Sequence, residues 1–206
     1  MTLRGIFLTP VVLLAAAIQA GASAESLSVT VHWETRVGSS EDGSRTFKVI
    51  PGRIKVVDDL ALGDSPEGAD VVLAGEDGAC PSPELEAQYE TSVTIQNEGP
   101  HLDLLDWRHH TSDWLPLERV SENRFRMPFY SEAEISRFPD VTAADLRQAI
   151  AAAGGDEWVQ LTRDVRSPHD PPASVGLSAI RLRVTCKRNA GPEATFTLKF
   201  PIAMGC

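Results

Sequence analysis

The sequence predicts a mainly β fold of β-rich α+β type: an antiparallel, sandwich-like sheet with one amphipathic helix near residues 142–153 and a C-terminal β-hairpin. Three observations carry that expectation. An early run alternates apolar and polar residues, two alternating runs near the end flank a turn, and one stretch between them has a helical repeat with a capped start.

The first strand places Leu27, Val29, Val31 and Trp33 on one face, with Ser28, Thr30, His32 and Glu34 on the other. Residues 38–44 form a polar, Gly/Ser-rich loop. Phe47–Val57 is extended but broken at Pro51-Gly52, which predicts two short strands or a bulge. Residues 58–78 read as an acidic loop with a brief apolar run at Val71-Val72-Leu73. Tyr89–Gln96 alternates again, and Trp158–Leu161 reads as a further short strand. The helix is signalled by Thr142 as cap, Asp145 as its partner three residues on, and Val141 stapling to Leu146. Leu146, Ala149, Ile150 and Ala153 share one face, and Gly154-Gly155 ends the run. In the hairpin, Ile180, Leu182, Val184 and Cys186 face inward on one strand, and Phe196, Leu198, Phe200 and Ile202 on the other.

Residues 1–24 read as a cleavable secretory signal peptide, leaving 25–206 as a single β-rich globular domain. Arg4 supplies the positive end, residues 6–18 are almost wholly apolar, and Ala22-Ser23-Ala24 forms a cleavage site. The apolar run falls short of the roughly 20 residues a membrane-spanning helix needs. The expected location is therefore the periplasm or the extracellular medium, with no stable membrane insertion. Since Arg4 is the one charge in the leader, removing it changes the net charge from −10 to −11. Such acidity argues against nucleic acid, whose phosphates reward the opposite sign. It suits a basic protein partner. The chain has no Asn-x-Ser/Thr sequon, in keeping with a bacterial rather than a eukaryotic exported protein.

Export favours oxidised cysteines. Of Cys80, Cys186 and Cys206, the last two sit at opposite ends of the hairpin and out of reach of one another. The expected disulfide is Cys80–Cys206, with Cys80–Cys186 as the alternative.

Functional side chains are densest in residues 99–117, GPHLDLLDWRHHTSDWLPL, which hold three of the five histidines and two of the four tryptophans. Trp107, Arg108, His109, His110, Asp113 and Trp114 have the composition of a protein-binding loop, since Trp and Arg are enriched at binding hot spots. The alternative is a metal site. His101, Asp103, Asp106, His109, His110 and Asp113 are ligand types for zinc or another divalent cation, and a helix over 106–113 would line four of them along one face. The chain has no H-E-x-x-H, paired-cysteine zinc spacing, G-x-S-x-G or phosphate-binding loop. The favoured function is an exported soluble binding protein without catalytic activity and with no cofactor. It would be of inhibitor, immunity or accessory type, recognising a protein partner in the cell envelope or outside the cell. The alternatives are a metal-dependent exported hydrolase using the 101–113 cluster, and an envelope component that pairs through sheet edges. N-terminal sequencing of the exported protein should start at Glu25; retention of Met1 would overturn the cleavage expectation.

Overall fold

The computed structural model describes residues 26–33, 43–58, 60, 64–74, 80–187 and 192–204. The leader expected at 1–24, most of the 38–44 loop, part of the hairpin turn and Cys206 lie outside them. The described chain is mainly β, in two sheets.

The first sheet has the order β2-β1-β4-β10-β9, all antiparallel. These strands are β1 (Leu27–Trp33), β2 (Gly43–Val49), β4 (Asp70–Ala74), β9 (Glu118–Arg119) and β10 (Arg124–Arg126). The second has the order β3-β12-β11-β5-β6, from β3 (Ile54–Val56), β5 (Ser82–Ile95), β6 (Leu102–Asp103), β11 (Ala173–Lys187) and β12 (Ala194–Pro201). Two further short strands, β7 (His110–Thr111) and β8 (Leu115–Pro116), pair with β5. Pro51-Gly52 acts as a crossover rather than a bulge. Gly52 takes φ +71°, and the chain leaves β2 in one sheet to enter β3, parallel to β12, in the other.

The sheets enclose a core that joins Val29, Val31 and Val71 of the first sheet to Tyr89, Leu182 and Phe200 of the second. The rings of Phe47 and Phe200 meet edge to face at 6.0 Å. The strand pattern set by Leu27, Val29, Val31 and Trp33 is buried on that face as the alternation predicts. The apolar run 71–73, read as part of a loop, is the middle of the first sheet.

A second core forms where β5 and β11 outrun the first sheet. Val93, Ile95 and Ala173 there meet Leu146, Ala149 and Ile150 of α2 (Ala143–Gly154). The predicted cap is present in full: the Thr142 hydroxyl accepts the Asp145 N–H, and the Asp145 carboxylate accepts the Thr142 N–H. Ala153, expected on the buried face, is exposed. A short helix α1 (Glu132–Ile135), not foreseen, has a matching cap in which Ser131 and Glu134 bond each other.

The strand expected at Trp158–Leu161 is instead α3 (Asp156–Leu161). Consecutive residues, Trp158 and Val159, both pack on the second core, which a helix permits and alternation forbids. Gly155 at φ +77° turns the chain from α2 into α3. Gly154 is needed because a Cβ there would run into Trp158 and Leu102.

The disulfide is Cys80–Cys186, not Cys80–Cys206. The strand that follows Cys80 begins at Ser82 rather than Tyr89, and it pairs with β11 so that Pro83 faces Cys186. That register brings the two cysteine Cα atoms to 5.0 Å, within ordinary bridging range. The bond closes a sequence separation of 106 residues, so on the chain-entropy account reduction should cost about 5 kcal/mol of stability. Peptide mapping of unreduced protein and parallel denaturant melts check both points. A Cys80–Cys206 peptide, or a melt insensitive to reductant, would contradict them.

Candidate functional site

The segment expected to carry the site runs as a broken edge strand beside β5, not as a helix. Asp103 faces Thr94, His110 faces Thr91 and Leu115 faces Ala87, while Leu117 donates its N–H to the Leu85 carbonyl at 2.9 Å. A turn closed by the Trp107 N–H on the Leu104 carbonyl, followed by two short strand pieces, takes the place of a helix, so the helical row of Asp106, His109, His110 and Asp113 does not form. His101 and Asp103 remain close, with Nε2 and Oδ2 at 3.3 Å. Among the described residues no three His, Cys, Asp or Glu side chains gather in a way that could hold a metal.

The two tryptophans serve the fold on opposite sides of the strap. Trp107 packs on Phe138 at the margin of the second core, with ring centroids 5.9 Å apart. Trp114 lies over the outer face of the second sheet, where the Arg183 guanidinium stacks 4.0 Å from its ring centroid. His110 turns toward Tyr89, 6.0 Å between ring centres, and its Nε2 is buried without a hydrogen-bond partner. Arg108, His109 and Asp113 are exposed. The loop is thus pinned at both tryptophans, with its charged residues between the pins.

Tyr89 also stacks on Tyr130 at 4.4 Å. Burial pushes both phenols above their ordinary value, with Glu134 adding to each and Arg137 offsetting part of the effect at Tyr89. Both rings therefore stay neutral. They serve as core aromatics where the sandwich meets the helical layer. Asp170 also has a structural part. The Asp170 carboxylate accepts the N–H groups of Arg166 and Ser167, each at 2.9 Å, and so shapes the turn before β11.

A different cluster lies on the first sheet. Three strands set His32, Asp70 and Arg126 side by side across its outer face, because His32 and Arg126 are both the cross-strand partners of Asp70. Arg124, one step along β10, reaches the same carboxylate. Its Nε bonds Asp70 Oδ2 at 3.1 Å and its Nη2 closes on the same oxygen, while Arg126 Nε bonds Oδ1 at 3.1 Å. Burial alone would raise the Asp70 carboxyl. The hydrogen bonds and charges of the two arginines outweigh it and hold the group below the usual carboxylate value.

This row floors an open cleft of about 660 Å³. Ser65, Glu67 and Gly68 wall one side. There Ser65 and the backbone N–H of Tyr130 both bond the Glu67 carboxylate, and Asp64 accepts the Trp33 indole N–H at 3.1 Å. The Phe129 ring lies against Gly68, whose φ of +68° and lack of a Cβ make room for it, and is 71% exposed at the rim. Among the described residues the terminal nitrogens of Arg126 and Nη1 of Arg124 make no hydrogen bond. The cleft therefore offers guanidinium donors beside an apolar ring. Carbonyl or carboxylate oxygens next to an apolar side chain would complement it.

None of these residues is among the candidate site residues that the sequence suggests. The available signal is Arg124-Phe125-Arg126-Met127, which alternates exposed and buried as a strand should. Comparison with known protein families, curated proteins and solved structures finds no match to this chain.

Asp70→Asn should cost about 1 kcal/mol at neutral pH, the upper end for a partly exposed pair. Since the carboxyl titrates below its ordinary value, this stabilisation is present at neutral pH and is lost as acid protonates Asp70 in the folded state. Melts across an acid series should show the wild-type advantage fading with acidification. An advantage that grows with acid would refute the pairing.

Proposed function

We propose that this chain is an exported binding protein, of inhibitor, immunity or accessory type, which holds a protein partner in the cell envelope or outside the cell. The observation that supports this reading is the cleft on the first sheet. Arg124 and Arg126 are pre-oriented there by Asp70 and keep unused donors, and Phe129 stands exposed beside them. A large apolar ring flanked by arginine is the composition of a binding hot spot. Asp70 lowers the ordering cost by holding both long side chains in place before the partner arrives. The net charge of −10 would draw in a basic partner over long range, while the cleft itself reads hydrogen-bond acceptors. The disulfide fits an oxidising compartment, and among the described residues no helix is long and apolar enough to cross a membrane.

The test is retention of a partner from an envelope extract by the wild-type protein, by Phe129→Ala and by Arg126→Glu. Wild type should retain a saturable protein partner, and each variant should bind it on the order of thirtyfold more weakly. Circular dichroism should be unchanged for both. Phe129→Ala should melt as wild type, whereas Arg126→Glu should melt lower, because it breaks the pair with Asp70 and sets a carboxylate against it. A partner bound equally by all three, or no partner at all, would overturn the proposal.

A further inference from the structure

The two sheets end side by side along one flank of the sandwich, where β2 and β3 are the outermost strands. The groove between them, about 620 Å³, is lined by Phe47, Lys48, Lys55, Val56 and Asp58 among others. In a chain of net charge −10, this groove is lined by three cations, Arg45, Lys48 and Lys55, and one carboxylate, Asp58.

Strand β3 carries its polarity inside out. Lys55 is in register with Leu198, so it lies on the inward side, while Ile54 and Val56 align with Thr197 and Lys199 on the outer face. Ile54 is 62% exposed and Val56 47%. The backbone points the same way. Val57 donates its N–H to the Lys199 carbonyl at 2.8 Å, and successive strand amides alternate sides, so the N–H and C=O of Val56 and Ile54 face the open edge. Among the described residues no strand occupies that edge.

We infer that β3 is a strand-addition site for an extended, acidic segment of a protein partner. Period-two geometry dictates the pattern: an acidic residue facing Lys55 and within the field of Lys48, with an apolar residue on either side facing Ile54 and Val56. A second copy of this chain fits poorly. Antiparallel pairing of two β3 strands centred on Lys55 would set lysine against lysine. The competing account is that Lys55 merely blunts the edge, as inward-pointing charges do elsewhere.

The probe is a blocked, fluorescent peptide, Thr-Val-Glu-Val-Thr, with a twin carrying Lys for Glu. Both are titrated against the full chain by anisotropy to millimolar concentration. The Glu peptide should bind about tenfold more tightly than the Lys peptide, the difference between an attractive and a repulsive cross-strand pair. Lys55→Glu should invert that preference. Val56→Pro should abolish binding of both peptides, because it removes the outward N–H without touching the β12 pairing. Phe129→Ala should change nothing, which keeps this result separate from the fate of the cleft. Binding of neither peptide would leave Lys55 as an edge guard and overturn the inference. So would a preference unaffected by Lys55→Glu, or dimerisation of the free chain that Val56→Pro abolishes. Should Val56→Pro fail to fold, the charge inversion alone decides.

Discussion

The pairing of β5 with β11 is the constraint on which the rest of the structure hangs. These are strands of 14 and 15 residues, far longer than a small sandwich needs, and they serve two cores in succession. The odd-numbered face of β5 buries Leu85, Ala87 and Tyr89 against the first sheet, then Val93 and Ile95 against α2 and its neighbours. A slip of one residue would turn both sets outward together, so the register is held by two independent hydrophobic surfaces at once. The opposite face reinforces it. Arg183 lies directly across from Glu86 and bonds it, and Glu90 is clasped by Arg181 of the adjacent β11 and by Lys199 of β12, the strand beyond it. Glu90 is almost fully buried, so removing either cation would leave a carboxylate short of a partner. That penalty makes the clasp specific to this register. The irregularity between Leu177 and Ala179 falls between the regions served by the two cores. There Ser178 turns its hydroxyl to the Glu90 carbonyl and to Ser92.

What could be read from the sequence, and what could not, follows from how far apart the cooperating residues lie. The α2 cap was legible because Thr142 and Asp145 are three residues apart and the physics is local. The hairpin was legible for the same reason, and its strands pair in the expected order with Cys186 opposite Ala194. The disulfide was not. Choosing between Cys186 and Cys206 as partner of Cys80 requires the β5–β11 register, a fact about segments about a hundred residues apart. Trp158–Leu161 misled because a short apolar run has no period of its own, and its helical state is settled by what it packs on. The cleft is not legible in the sequence for a related reason. Asp70 sits in a stretch whose composition says loop, and only β1 on one side and β10 on the other make it the centre of a charged row.

The residues with the greatest apparent chemical promise were largely taken up by architecture. Trp107 closes the second core and Trp114 shields Arg183, so neither is a free anchor. The strap that carries them solves a definite problem: β5 is long, and left bare it would present a continuous row of unpaired amides. Residues 102–117 cover that row in short hydrogen-bonded pieces; Asp103 and His110 lie within the paired pieces, and Asp106, His109 and Asp113 in the connections between them.

The far edge of the same sheet is treated in the opposite way. β3 is only three residues long, it is parallel to its neighbour where the other pairings are antiparallel, and no described segment lies beyond it. Its short length limits aggregation without any cover, since few amides are offered and a lysine sits where a core residue would be. The chain thus spends a long strap on one edge and leaves the other open, although Ile50, Ile54 and Val56 there are exposed apolar groups. Solubility alone would have favoured polar residues at those outward positions. Their apolar character, beside a lysine that faces inward, is the pattern that an added strand of complementary alternation would satisfy.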